Sequence, residues 1–138
     1  MDTDKIFDLF KSSGEEETYN ELEQYKQHPL YFIGMFTKLI NNYYSLNKSL
    51  IPFFKFIDEE LQPEDVNKAG EFIVLSKAYE HICNIDVNNK QHQEALFIKS
   101  HDISLKTNLE LSIKYFEKIE EYEKCKVLKE ILDFLNLF

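Results

Sequence analysis

Arginine and tryptophan are both absent from this chain of 138 residues, and glycine and proline occur only three times each. All sixteen cationic side chains are therefore lysine. A lysine ammonium is a compact point charge. It lacks the planar fork with which a guanidinium reads guanine edges and clamps phosphates. The net charge of −9 adds a surface that repels phosphate backbones and anionic headgroups. Together these features exclude sequence-specific DNA reading and argue against nucleic acid or a membrane as a direct partner.

The scarcity of glycine and proline excludes a turn-rich β architecture. It also leaves no phosphate-binding glycine loop, dinucleotide fingerprint or Gly-x-Ser-x-Gly elbow. Cysteine is limited to Cys83 and Cys125. The N-terminal stretch has no basic region followed by a long apolar run, so no secretory signal is read there. The expected compartment is the cytoplasm, with both cysteines as reduced, core-facing thiols. No apolar run reaches the roughly 18–20 residues that a membrane span requires.

Metal and cofactor signals are missing too. His28, His81, His92 and His101 include no pair one helical turn apart, and the cysteines lack zinc spacing. The stretch from Asp86 to Phe97 starts like a calcium loop. However, Gln91 stands where glycine is needed and Phe97 where a bidentate glutamate is needed. No metal, cofactor or catalytic residue is expected, and the chain reads as a non-enzyme.

The residues that are present form helical stripes. Ile6, Leu9 and Phe10 predict a short helix over 3–11. Ser13 and Glu16 fit a capping box for a second helix that runs to about Gln27. Pro29 opens a third, with Phe32, Phe36, Leu39, Ile40 and Tyr43 on one stripe, widened by Leu30, Ile33 and Tyr44. The polar run Asn47-Lys48-Ser49 predicts a break, after which a separate helix capped by Ser49 reaches Leu61. The helix from Pro63 carries Val66, Ala69, Phe72, Ile73, Ser76, Tyr79 and Cys83 as its core stripe. Asn84–Lys90 is the clearest loop and a candidate sub-boundary within a single domain, 1–138. Ala95, Leu96 and Ile98 mark a helix reaching about His101. Asp102 or Ser104 caps the next, with Leu105, Leu109, Ile113, Phe116 and Ile119 aligned. The last helix, about Glu121–Leu137, aligns Tyr122, Cys125, Leu128, Leu132 and Leu135 and is widened by Val127, Ile131 and Phe134. The expected fold is all-α: a compact bundle of seven or eight short to medium helices, ending in a helical hairpin.

Acidic clusters at Glu15–Glu17, at Asp58–Glu60 with Glu64 and Asp65, and at Glu117–Glu123 fall mostly at helix ends or on polar faces. They read as solvated surface, or as an electronegative face that competes with nucleic acid for a basic protein.

The segment Leu109–Leu135, LELSIKYFEKIEEYEKCKVLKEILDFL, resembles the UVR motif of bacterial excision-repair proteins and some Clp-protease partners. The matching positions are Ile113, Glu120, Tyr122, Glu123, Cys125, Leu128, Lys129 and Ile131. Cys125-Lys126 stands where the motif prefers two alanines, and lysine replaces arginine. The resemblance covers about a fifth of the chain and implies a helical hairpin that contacts protein.

The expected function is that of a non-catalytic protein–protein interaction module acting through an apolar, aromatic helical face. Tyr31, Tyr44 and Phe56 of the aromatic stretch are candidate partner-binding residues, as are Val127, Phe134 and Phe138 of the last helix. The alternative is a small acidic inhibitor, of the immunity or phage counter-defence type, that blocks a basic nucleic-acid-binding enzyme. A homodimer through the same face is left open.

Overall fold

The structure is a computed structural model that describes residues 16–57, 60 and 63–138. The expected helix over 3–11 and the Ser13 capping box lie outside the described residues. Among the described residues the fold is all-helical, with six helices: α1 (Glu16–Tyr25), α2 (Pro29–Ile57), α3 (Pro63–Ile82), α4 (Lys90–Ile98), α5 (Ile103–Lys118) and α6 (Tyr122–Leu135).

The count falls below seven or eight partly because the break at Asn47–Ser49 does not occur. α2 runs through it and through Pro52 as one helix of 29 residues, about 43 Å long at 1.5 Å per residue. Asparagine and serine cost a helix only tenths of a kcal/mol each relative to alanine. Tertiary bonds to α3 offset that cost. Asn47 Nδ2 donates to Asn67 Oδ1 at 3.0 Å, and Tyr43 Oη donates to the Asn67 carbonyl at 2.9 Å. The Tyr43 ring lies so close to Gly70 that a Cβ there would sit 3.0 Å from it. Glycine at 70 is what lets the two helices approach at this level.

α2 and α3 form one antiparallel pair, and α5 and α6 form the terminal hairpin. α4 packs between them against α2 and α6. Ile33, Phe36 and Ile40 of α2 and Leu75, Ala78 and Ile82 of α3 share one core with Leu96, Leu105, Leu109, Phe116, Leu128, Ile131 and Leu135. The core therefore runs continuously across the 84–90 segment. In that segment the Asp86 carboxylate accepts from Asn88 N–H at 2.9 Å. Asn89 caps α4 by accepting from the N–H groups of Gln91 and His92. The residues that imitate a calcium loop thus have local backbone partners. α4 ends at Ile98 rather than near His101. Asp102 caps α5 by accepting from Ser104 and Leu105 N–H.

The stripe read for α3 needs correction. Leu75, Ala78 and Ile82 are buried, whereas Val66, Phe72, Ile73 and Cys83 are exposed. This helix carries apolar residues around its circumference, so spacing alone did not single out the core face. Of the two cysteines only Cys125 is buried. Among the described residues, no helix is long and apolar enough to cross a membrane.

The α5–α6 turn is closed in an unusual way. Glu121 N–H donates to the Phe116 carbonyl at 2.8 Å and Glu120 N–H to the Glu117 carbonyl at 3.1 Å. This is a Schellman closure. The residue just past the helix cap must then enter the left-handed region, and Glu120 does so at φ 64°. A side chain there is strained where glycine is not. Glu120→Gly is therefore expected to stabilise the fold by roughly 0.5–1 kcal/mol. Chemical denaturation measures the gain; a loss of stability would refute the account of this turn.

Candidate functional site

Two concave features stand out, and the first is apolar. The end of α4 and the last turn of α6 enclose a groove of about 510 Å³. Phe97, Ile98, Phe134 and Phe138 form its walls, with Lys90 and Glu94 at the rim. The Phe138 ring is edge-on to Phe97 at 5.0 Å and to Phe134 at 5.4 Å. Each contact is within the favoured range for aromatic pairs. Even so, Phe97 is 55%, Ile98 64% and Phe138 52% exposed. α4 places Phe97 and Ile98 here because its other face, Ala95 and Leu96, is committed to the core.

The second feature is polar. α5 crosses the α2–α3 pair and leaves a cleft of about 430 Å³. Tyr44 and Glu71 line one wall, and Glu110, Lys114, Tyr115 and Lys118 of α5 line the other. Tyr44 Oη donates to Glu71 Oε1 at 3.5 Å. Burial, then the Glu71 carboxylate, pushes the Tyr44 phenol up to about 12. Tyr115 is raised by the same two causes in the same order. Both hydroxyls therefore stay neutral hydrogen-bonding groups at physiological pH.

The sequence candidates divide between these features and the core. Phe134 and Phe138 meet in the apolar groove, while Val127 is half-buried and packs against the core. Tyr44 lines the polar cleft. Tyr31 is half-buried in an aromatic cluster, edge-on to Tyr25 at 5.7 Å and to His81 at 5.9 Å. Tyr31 and Tyr44 are thus both half-buried. Phe56, near the C-terminal end of α2, is 86% exposed and lines neither feature. Sequence reading missed Phe97 and Ile98. Their signal was there: Ala95, Leu96, Phe97 and Ile98 are four successive apolar residues, and a helix can bury only part of such a run.

Desolvation pushes both Cys83 and Cys125 above the ordinary thiol value, which lowers the thiolate fraction that reacts. The acidic residues of the α5–α6 turn, Glu117, Glu120, Glu121 and Glu123, are all exposed. The hairpin expected over 109–135 is present as α5 and α6, and Cys125 Sγ lies 3.5 Å from the Ile113 carbonyl across it. Compared with protein-family models, curated proteins and solved structures, the chain matches none.

Proposed function

We propose that the protein is a non-catalytic interaction module whose α4–α6 groove receives an apolar side-chain cluster on a basic partner protein. The observation that carries this reading is the convergence of Phe97, Ile98, Phe134 and Phe138 on one open groove of about 510 Å³. Large aromatic side chains around a pocket are the usual anchors of protein interfaces. The net charge of −9 favours a partner with a basic surface, whose encounter it would speed. The two unpaired cysteines fit a reducing cytoplasm.

A second reading, the acidic inhibitor of a basic nucleic-acid-binding enzyme, draws on the exposed glutamates of the α5–α6 turn. The resemblance to a protein-contacting hairpin covers the same segment. The two readings differ in salt dependence, because exposed charges are screened and apolar contacts are not.

The test captures partners from a lysate of the source cells with the wild-type chain and with Ile98→Asp, at low and at high salt. Ile98 is exposed, so this variant is expected to fold. The groove reading expects a stoichiometric partner that survives high salt and binds Ile98→Asp about tenfold or more weakly, a change of roughly 1.4 kcal/mol. A partner that leaves at moderate salt and ignores Ile98→Asp would sink the groove and favour the acidic turn. Sedimentation of the purified chain alone separates both from a homodimer.

A further inference from the structure

We propose that the cleft between α5 and the α2–α3 pair is a binding site for a small zwitterion. The ammonium group sits against Glu71 and Tyr44, and the anionic group sits at Lys114 and Lys118. This site is independent of the apolar groove.

Charge and geometry carry the inference. Glu71 and Glu110 supply two negative charges to the cleft, and Lys114 and Lys118 supply two positive ones. Glu110, Lys114 and Lys118 follow one another at four-residue spacing on α5, so they share one face, with Glu110 beside Lys114 and Lys118 furthest from it. Among the described residues the ion pairs are Lys26–Glu23 and Lys77–Glu80. The four charges of the cleft are therefore not paired with one another. A bare cation would meet the lysines and a bare anion the glutamates. A molecule carrying both signs satisfies each end.

The acidic end is built to hold an ammonium group. Glu71 accepts one hydrogen bond, from Tyr44, and at 3.5 Å it is at the long limit for such a bond. A carboxylate offers about four acceptor positions, so most of its capacity is free for a ligand. The Tyr44 and Tyr115 rings also line the cleft, and a ring face turned to it would favour alkylated ammonium groups. The wall is also braced by packing. The Tyr43 ring is seated against Gly70, bonded to the Asn67 carbonyl and edge-on to Tyr44 at 5.2 Å. A preorganised wall avoids the ordering cost that a mobile one incurs on binding. The volume of about 430 Å³ suits a small metabolite or headgroup.

Calorimetric titration tests the proposal with four probes: phosphocholine, γ-aminobutyrate, choline and inorganic phosphate. At least one of the two zwitterions is expected to bind about tenfold or more tightly than choline or phosphate. Glu71→Gln should weaken that binding about tenfold, and Lys118→Gln should weaken it while leaving choline unchanged. Lys118 is exposed, so loss of binding in that variant is not loss of fold. Flotation with phosphatidylcholine vesicles would assign the zwitterion to a lipid headgroup; binding of free phosphocholine without flotation would assign it to a soluble molecule. No binding of either zwitterion at millimolar concentration overturns the proposal. Equal binding of choline or phosphate alone overturns it too.

Discussion

Phe116→Ala is expected to destabilise the protein by about 3–5 kcal/mol, the range for removing a fully buried phenyl ring. Phe116 has no exposed surface and lies in the shared core. Its ring is edge-on to Tyr79 at 5.7 Å and to Tyr115 at 5.4 Å. The Lys124 ammonium lies 5.2 Å from its centre and 5.4 Å from that of Tyr79. Truncation therefore opens a cavity and also removes the aromatic contacts and a cation–π contact that join α3, α5 and α6. For a chain of this size the melting temperature should fall by roughly 15 °C. Phe138→Ala is the control. That ring is half exposed in the wall of the apolar groove, so its loss should cost the fold about 1 kcal/mol or less. Equal losses in the two variants would mean that the groove belongs to the core, and the interaction reading would lose its footing.

That contrast also marks what could be read from the sequence. Helix starts were legible where a residue with one local role marks them: Pro29, and Asp102, which the sequence offered together with Ser104. The core face was legible where apolar spacing is one-sided. Ile33, Phe36 and Ile40 of α2 are buried, and so are Leu105, Leu109 and Phe116 of α5. It was not legible in α3, where Phe72 and Ile73 compete with Leu75, Ala78 and Ile82 as equally apolar residues. Nor was the length of α2 legible. Its continuation past Asn47 depends on Asn67, twenty residues away, and no local rule reports that bond. The candidate sites follow the same logic. Phe134 and Phe138 were found because they sit on an overwide helix face. Phe97 joins them only through the packing of α4 on α6. Glu71 lies outside the acidic clusters that the sequence singles out. Its place in the cleft depends on α5 packing against α2, a contact between elements far apart in the chain.

The polar seam between α2 and α5 yields the second large effect. Asn41 Nδ2 donates to Ser104 Oγ at 2.9 Å, and Ser104 Oγ donates back to Asn41 Oδ1 at 3.2 Å. Asn108 Nδ2 donates to the same Asn41 oxygen at 3.0 Å. Asn108 is only 6% exposed, so water cannot readily replace that partner. Asn41→Leu should therefore cost about 2 kcal/mol, the penalty for leaving a buried amide unpaired. Most of this is desolvation rather than lost attraction, and that can be separated. Replacing both ends, Asn41→Leu with Asn108→Leu, removes the unpaired donor and should recover about 1 kcal/mol or more of the sum of the single losses. A double-mutant cycle in urea measures the recovery. If the losses simply add, the seam is not a coupled network, and the register of α5 on α2 is set by the apolar core alone. If they couple, the asparagine pair fixes where α5 crosses α2. It then also fixes the position of Tyr115 and Lys118 opposite Tyr44 and Glu71. In that case the single variant Asn41→Leu should weaken zwitterion binding without touching any residue that lines that part of the cleft.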